Sequence, residues 1–297
     1  MRTRILLSFF KIYLIIYGCA VNDINNNSKG CYSNTNAEII SYDGINREYV
    51  KYIPDSYDGS APVPLLLNFH GYGGVASNYI MEADMRFLAE SENFIMIYPQ
   101  GSCLESGSHW NPCQLGGDNK SSSDDLGYIE AVISEISSEY NIDSERIYAA
   151  GYSNGAMMAY GLANYKSDLI AAVASVSGAM IDCLGSTSHP MPIIHLHGTY
   201  DQDIPYNGNS DWASVQTTLE YWINFNNTNI NPTIDVDSDG EIIIEHYVYD
   251  QGDNLVSVEH YKFIGGNHVW FSETYNGKTT SELVWNFLSK YDLNGLR

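Results

Sequence analysis

The fold is decided by the stretch Arg146–Ala159, which reads RIYAAGYSNGAMMA. Its first five residues form a mostly apolar run typical of a buried strand, and its last residues begin a buried helix. Between them Gly151-Tyr152-Ser153-Asn154-Gly155 has the pattern G-x-S-x-G, which places a serine on a sharp strand-to-helix turn. The string alone is expected by chance roughly 0.2 times per chain of this composition, so the prediction depends on the flanking strand and helix.

The chain on either side of this unit alternates between strand and helix signals. Apolar residues recur at helical spacing over Leu126–Ile136, where Ser123 or Asp124 could cap the helix. Similar helical patterns occur at 78–92 and 281–289. Short apolar runs bounded by turn residues lie at Pro64–Phe69, Phe94–Tyr98, Arg146–Ala150, Ala171–Val176 and Ile193–Leu196. This alternation predicts an α/β fold with a mostly parallel central sheet and helices on both faces. Residues 242–263 differ, because two alternating strands flank a turn at Gly252-Asp253-Asn254 and predict a hairpin.

Composition disfavours several classes of partner. The chain has 297 residues, of which 44% are apolar, so a substantial core is available. Lys and Arg number 14 against 36 Asp and Glu, which gives a net charge of −22. A chain of this charge disfavours nucleic acid and anionic membrane surfaces as partners.

The first residues indicate export. Residues 1–21 begin with a basic segment and continue in an apolar run that Lys11 interrupts, as in a signal peptide or a lipoprotein leader. Ile16-Tyr17-Gly18-Cys19 resembles a bacterial lipobox, so Cys19 is a candidate lipid anchor, with an ordinary cleavage site as the alternative. Residues 22–36 are polar and Asn-rich, and we interpret them as a tether to a single folded domain over 37–297. The expected location is extracellular or periplasmic.

Four cysteines remain if Cys19 is lipidated or removed, which favours disulfides in an exported protein. Cys103 and Cys113 share one Gly/Ser-rich loop and are our first candidate pair, leaving Cys31 with Cys183. Four cysteines allow three pairings, and free thiols are the further alternative.

A serine hydroxyl needs a base, and the base needs a carboxylate to fix its tautomer. Asp201 follows the Ile193–Leu196 strand and is the favoured acid, with Asp203 as its rival. His268 lies in a Gly-rich loop before the last helix and is the favoured base. His246 and His260 lie inside strands, where they are poorly placed to reach the serine.

The backbone must also stabilise negative charge on a reacting oxygen. The expected donors are the N–H of Asn154, directly after the serine, and that of Tyr72, with Gly73 as the alternate. Tyr72 lies in His70-Gly71-Tyr72-Gly73-Gly74, where glycines permit close approach of the backbone. We expect His70 itself to be structural.

Together these residues resemble the secreted serine esterases of the polyhydroxybutyrate depolymerase-like and feruloyl esterase-like family. The matching stretches are LLLNFHGYGG, IMIYPQG, HWNPC, DDLGYIEAVISEISSEYNID, RIYAAGYSNGAMMAYGLA, LIAAVASVSGAM, PIIHLHGTYDQDIPY and GGNHVW, in family order over most of residues 63–290. The resemblance implies an α/β-hydrolase catalytic domain with Ser153, Asp201 and His268 as its triad, working through an acyl-enzyme without a cofactor. It also implies feruloyl or acetyl esters of polysaccharide as substrates, or alternatively a polyhydroxybutyrate polyester.

The substrate pocket is less well indicated. Trp110 and Trp270 are candidate substrate-binding residues, with ordinary packing as the alternative, and loops 103–120 and 203–215 are expected to set the pocket width. After the histidine the family commonly continues Thr-Trp-Pro-Gly, whereas this chain has Val269-Trp270-Phe271-Ser272.

Three rival interpretations remain. Asp235, Asp237, Asp239 and Gly240 match the start of a calcium loop, but position 12 is His246 rather than Glu, so an acidic turn is favoured over calcium. His195 and His197 form an H-x-H pair that suits zinc, but no third ligand stands out by its spacing. A surface-tethered binding protein without catalysis is the third, although all three triad positions are filled.

Overall fold

A computed structural model describes residue 31, residues 37–183 and residues 185–297. The predicted leader, Cys19 and most of the predicted tether lie outside the described residues. In chain order the strands are β1 (Glu38–Tyr42), β2 (Ile45–Tyr52), β3 (Val63–Phe69), β4 (Ile95–Pro99), β5 (Ser102–Leu104), β6 (Gly107–His109), β7 (Ile142–Tyr152), β8 (Ala172–Val176), β9 (Ile193–Gly198), β10 (Thr233–Asp239), β11 (Ile242–Tyr249), β12 (Val258–Ile264), β13 (Tyr291–Asp292) and β14 (Gly295–Leu296). The α-helices are α1 (Ala76–Glu82), α2 (Arg86–Glu92), α3 (Asp125–Glu139), α4 (Asn154–Tyr165), α5 (Val215–Phe225) and α6 (Thr280–Leu288), and a 3₁₀ turn spans Asp253–Leu255.

Ten strands form one mixed sheet in the order β1-β2-β4-β3-β7-β8-β9-β12-β11-β10. The six central strands, from β4 to β12, pair in parallel, and antiparallel strands flank them on both edges. Every residue of β3, β4, β8 and β9 is buried, which explains their continuous apolar runs. The predicted α/β fold class is therefore confirmed.

Helices cover both faces of this sheet. Along β3, Leu65 and Leu67 pack into a core formed with α3, α4 and α5, whereas Leu66 packs into a second core with α1, α2 and α6. Alternate residues of a strand point to opposite faces, so one strand supplies both cores. Among the described residues, no helix is both long and apolar enough to cross a membrane.

Two predicted elements differ in detail. The helical pattern over 78–92 is interrupted, because α1 ends at Glu82 and α2 begins at Arg86. Between them the Asp84 carboxylate accepts a hydrogen bond from the backbone N–H of Arg86, the first residue of α2, at 3.0 Å. The predicted hairpin at 242–263 is confirmed as β11 and β12, with the 3₁₀ turn at its tip.

The predicted cysteine pairing is wrong, although all four cysteines form disulfides. Cys31 bonds to Cys103 and Cys113 bonds to Cys183, with Cα–Cα distances of 5.8 and 5.6 Å. Cys103 pairs across the β5–β6 hairpin with Ser108. After this hairpin the chain passes through the buried Trp110, and Cys113 therefore lies beside the loop that contains Cys183.

Candidate active site

Ser153 lies at the junction of β7 and α4 in a left-handed backbone conformation, with φ 55° and ψ −120°. Its N–H donates to the Val176 carbonyl on β8 at 2.9 Å, which holds the turn against the sheet. A Cβ on Gly155 would lie 2.0 Å from the Phe69 carbonyl oxygen, and one on Gly151 would lie 2.3 Å from that of Gly155. Both glycines of the G-x-S-x-G pattern are therefore required by close backbone approach.

The loop after β12 brings His268 to this serine. The Nε2 atom of His268 lies 2.8 Å from Ser153 Oγ. The loop is held by two side chains of the neighbouring strand ends, since Tyr152 Oη donates to the His268 carbonyl and Ser177 Oγ donates to the Val269 carbonyl, each at 2.9 Å. The Tyr152 ring also packs against the imidazole, with 5.1 Å between ring centroids.

Asp201 completes the hydrogen-bonded chain from the loop after β9. Its Oδ2 lies 2.7 Å from His268 Nδ1, while its Oδ1 accepts from the backbone N–H groups of Asp203 and Ile204. Burial alone would raise the pKa of Asp201, but hydrogen bonds from His197, His268 and the Ile204 amide outweigh burial and lower it. The rival Asp203 is exposed and only donates its amide to Asp201.

The three groups together can perform nucleophilic catalysis. An ionised Asp201 accepts a hydrogen bond from His268 Nδ1–H, which leaves the Nε2 lone pair free to accept the Ser153 hydroxyl proton. The other late histidines lie elsewhere: His246 bonds to Glu259 at 2.8 Å, and His260 is buried beneath Tyr206. Of the histidines that follow Asp201, the structure brings only His268 to the serine.

The predicted amide donors belong to the helix that follows the serine and to a loop that borders it, since a Cβ on Gly71 would lie 3.3 Å from Ser153 Cβ. Asn154 is the first residue of α4, and the first amides of a helix have no partner within it. In the 70–74 loop the amide of Gly73 already donates to the Ser108 carbonyl at 2.8 Å, which removes the alternate and leaves Tyr72 as the candidate. His70 shapes this loop, because its Nδ1 bonds to the Gly71 carbonyl and its Nε2 accepts from the Gly101 amide. Burial lowers the pKa of His70 to about 4, so the ring is neutral.

A cavity of about 550 Å³ is lined in part by Asn154, the residue that follows Ser153. Its apolar wall includes Trp110, Met157, Met180 and Trp212. Its polar lining residues include Asp118, Asn119, Lys120, Asp182 and Asp211. The disulfide partners Cys113 and Cys183 also line it, so one disulfide forms part of the cavity wall.

The two predicted substrate-binding tryptophans are separated by the structure. Trp110 lines the cavity as a fully buried wall, where its indole N–H donates to the His70 carbonyl and its backbone amide donates to the Asn154 side chain. Trp270 does not line this cavity, because the chain after His268 packs it edge-to-face on Tyr79. Trp212 lies in the 203–215 loop that was expected to set the pocket width, whereas Met157 and Met180 were not predicted from the sequence. Met157 lies one helical turn after the serine, and this spacing could have indicated that it faces the site.

The metal-binding alternatives find no support in the geometry. Asp235, Asp237 and Asp239 lie on strand β10 rather than in a loop, and each accepts a hydrogen bond from the turn at 274–276. His195 and His197 bond to each other, at 3.2 Å. Within the described ranges, no group of three or more His, Cys, Asp or Glu side chains is arranged to hold a metal ion.

Comparison with known proteins adds a family to this geometry. The sequence profile of the esterase PHB depolymerase family matches residues 47–206. A bifunctional acetylxylan esterase/xylanase from Neocallimastix patriciarum is 26% identical over 260 residues, which cover 85% of this chain and 34% of that protein. A probable feruloyl esterase C from Aspergillus niger is 28% identical over 192 residues, covering 63% of this chain and 67% of that protein. The chain therefore spans about a third of the first relative and two-thirds of the second.

Solved structures resemble the fold. The acetyl xylan esterase from Aspergillus awamori superposes with a TM-score of 0.62 at 16% identity, covering 85% of this chain and 98% of that one. At this identity the likeness concerns the fold, which is that of an α/β-hydrolase.

Proposed function

Because the chain belongs to the PHB depolymerase family of esterases, we propose that it is a serine carboxylic-ester hydrolase that works through an acyl-enzyme. The observation that carries this proposal is the continuous hydrogen-bonded chain from Ser153 through His268 to Asp201, with heavy-atom distances of 2.8 and 2.7 Å. Nucleophile and base are within the reach that proton transfer requires, and the base is oriented by a third group.

Each residue then has a role in the reaction. His268 accepts the Ser153 proton as the serine oxygen attacks the ester carbonyl, and the amides of Asn154 and Tyr72 stabilise the oxyanion that forms. The imidazolium returns the proton to the leaving alcohol, which departs and leaves the serine acylated. Water, deprotonated by the same histidine, then releases the acid and regenerates the free hydroxyl.

The substrate class we propose is an acetyl or feruloyl ester of a polysaccharide. The cavity of about 550 Å³ lies within the range of about 300–1,000 Å³ typical of small-molecule sites, and an acetyl group alone would leave most of it empty. Its aromatic and thioether wall suits a ring, and its carboxylates and amides suit hydroxyl groups. The names of the acetylxylan and feruloyl esterase relatives support the same class.

A second candidate is a polyester depolymerase. The observation that favours it is the matching family profile, whose description refers to PHB depolymerase. The polar lining argues for the first candidate, because its carboxylates and amide can form hydrogen bonds with the hydroxyl groups of a sugar.

The test compares substrates directly, using residues 22–297 and a Ser153→Ala control. We would measure kcat/KM on methyl ferulate and p-nitrophenyl acetate, together with clearing of a polyhydroxybutyrate suspension. Serine-dependent ferulate cleavage without clearing supports the polysaccharide ester, and clearing with slow ferulate turnover supports the depolymerase. A protein that hydrolyses nothing and is not labelled by a fluorophosphonate would contradict the enzymatic proposal and favour a binding protein.

We also propose that the protein acts outside the cytoplasm. Two disulfides join distant parts of the chain, which fits folding in an oxidising compartment. Attachment through a lipid on Cys19 is the finer proposal, and it is tested by expressing the full chain and its Cys19→Ala variant. Lipidation predicts that the full chain partitions into a detergent phase and the variant does not.

A further inference from the structure

A row of buried side chains continues from Asp201 into the interior, away from the serine. His197 Nε2 lies 3.2 Å from Asp201 Oδ2 and 2.9 Å from the Ile204 carbonyl oxygen. His197 Nδ1 lies 3.2 Å from His195 Nε2, and His195 Nδ1 lies 2.8 Å from Tyr160 Oη. Apart from Ile204, each of these residues is at most 2% exposed, so the row has little contact with water.

With each ring neutral, one arrangement of protons satisfies every pair. His197 Nε2 faces two oxygen acceptors and therefore carries its proton, which leaves a lone pair on Nδ1. His195 must then donate from Nε2, and its own Nδ1 accepts from the Tyr160 hydroxyl. Every donor in the row thus points towards Asp201, as does the Nδ1–H of His268 from the other side.

The environment favours the neutral forms of His195 and Tyr160. Burial, followed by the proximity of His197 and His260, holds the pKa of His195 well below its ordinary value. Burial also raises the pKa of Tyr160, so its hydroxyl keeps its proton. In this arrangement of protons the carboxylate of Asp201 carries the single formal charge of the row, and it lies between the donors His197 and His268.

We propose that Tyr160, His195 and His197 form a positioning relay that fixes the carboxylate of Asp201 for the catalytic histidine. This inference rests on the proposed function of Ser153, His268 and Asp201. It gives the H-x-H pair of the sequence a role in the reaction without a metal. His197 acts directly on the carboxylate, and His195 and Tyr160 act through His197.

The position of His197 explains how it can orient the acid. It lies on strand β9 and bonds to the Ile204 carbonyl, while the Ile204 amide bonds to Asp201 Oδ1. The imidazole therefore ties the 201–204 loop to the sheet at two points. Without it, Asp201 would keep its amide contacts but would lose the donor that fixes the rotation of Oδ2 towards His268.

Few other ionisable groups surround the catalytic histidine. Among the described residues, Asp201 and Tyr152 face His268 directly, and Asp203 and Glu82 act on Tyr152. His260 faces His195 and donates to its carbonyl, but it does not reach Asp201. A change in the pH profile caused by substitution in the row is therefore transmitted through Asp201.

The first test compares His197→Phe with His197→Gln. Phenylalanine removes the donor, so we expect kcat on p-nitrophenyl acetate to fall by roughly 10-fold or more, with KM changed less than about twofold, because the base is misplaced in the transition state. A carboxylate that is no longer held towards the imidazole should stabilise the imidazolium less, so the acid limb of the kcat/KM profile should move to lower pH. Glutamine retains an N–H and should restore part of both values. Unchanged kcat and pH limb in folded His197→Phe would overturn the proposal.

A second pair keeps the test decisive if His197→Phe does not fold. Tyr160→Phe removes the hydroxyl at the far end of the row. Tyr206→Phe is the matched control, because it removes a hydroxyl that lies 2.8 Å from Nε2 of His260, a buried histidine outside the row. We expect Tyr160→Phe to lower kcat and shift the limb in the same direction as His197→Phe, to a smaller extent, and Tyr206→Phe to leave both unchanged. Equal effects of the two variants would overturn the relay.

One readout separates this inference from the choice of substrate. The rate at which a fluorophosphonate labels Ser153 depends on its activation by His268 but not on the natural ester. If every tested ester fails but labelling is fast, the proposed substrate class is wrong, and labelling rates across pH still test the relay. Labelling that is equally fast in the wild type and in both row variants would contradict the relay alone.

Discussion

Ser153 adopts a backbone conformation that costs an L-residue stability. Its φ of 55° and ψ of −120° place the hydroxyl above the turn, where it meets His268. Such conformations cost of order 1–3 kcal/mol and persist where the surroundings enforce them. The nucleophile is therefore held in place at the expense of the free energy of folding.

This strain predicts that removing the side chain stabilises the protein. We expect Ser153→Gly to unfold in urea at a higher midpoint than Ser153→Ala, by about 1 kcal/mol in the free energy of unfolding, because glycine adopts positive φ without strain. Both variants lack the hydroxyl, so the comparison isolates the backbone. A Ser153→Ala protein as stable as Ser153→Gly would show that the turn is unstrained.

The acid carries a separate prediction, in which Asp201→Asn is compared with Asp203→Asn. In Asp201→Asn the new side-chain NH₂ group would point at Nδ1 of His268, and this would favour the wrong imidazole tautomer. We therefore expect kcat to fall by about 10⁴-fold while the fold stays intact. The exposed Asp203 should tolerate the change within about twofold. Kinetics on p-nitrophenyl acetate would check both, and similar losses at the two positions would refute the assignment of the acid.

The residues of the site were predictable to different degrees. Ser153, Asp201 and His268 could be selected because each occupies a loop directly after a strand or before a helix, where side chains of a parallel sheet converge. The contacts of His197 with Asp201 could not be predicted, because they depend on how the 201–204 loop folds back over β9. The H-x-H pattern was visible, but a sequence does not show whether two rings face a metal or each other.

At the level of elements, the buried strands were the easiest to predict. Strand β3 is buried on both faces and has an unbroken apolar sequence up to Asn68, whereas β1 lies at the edge of the sheet and has three exposed residues out of five. Strand β10 was missed because its alternate aspartates suggested a loop. In the structure those carboxylates accept hydrogen bonds from the 274–276 turn, a partner 35 to 40 residues away in sequence.

The two disulfides allow a controlled experiment on the cavity. They enclose loops of nearly equal length, with sequence separations of 72 and 70 residues, so their entropic effects on the unfolded chain are closely matched. We expect Cys31→Ser/Cys103→Ser and Cys113→Ser/Cys183→Ser to lower the free energy of unfolding similarly, by about 2–4 kcal/mol each. Only the second pair should also lower kcat/KM on methyl ferulate relative to p-nitrophenyl acetate, because it lines the cavity. Equal selectivity in the two variants would exclude the cavity as the acyl site.

Considered as a whole, the molecule buries several neutral histidines. Burial lowers the pKa of His70 to about 4 and that of His260 to about 3, and it holds the pKa of His195 well below its ordinary value. In the unfolded chain each titrates near a pKa of about 6.5, so below that pH the unfolded state binds more protons than the folded state. Stability is therefore greatest above about pH 6.5 and is lost as the pH falls towards the folded-state values.

This linkage predicts the acid sensitivity of the protein. Three such histidines give a slope of up to about 4 kcal/mol per pH unit in the free energy of unfolding between about pH 6 and pH 4. Urea unfolding at half-unit steps would measure it, and repeating the series in high salt would separate it from repulsion among the 36 acidic side chains. A flat profile from about pH 7 to pH 4.5 would mean that these rings protonate without unfolding.

The cavity and the triad occupy different stretches of the chain. Ser153, Asp201 and His268 come from the turn after β7 and the loops after β9 and β12, whereas the cavity is lined mainly by residues 110–120, 180–183 and 211–213. Selection for a new acyl group can therefore act on loops whose variation leaves the proton-transfer machinery intact. Proteins that share this scaffold can therefore differ in the ester they accept while they keep one reaction. Exchanging these loops between relatives should transfer substrate preference without altering the triad.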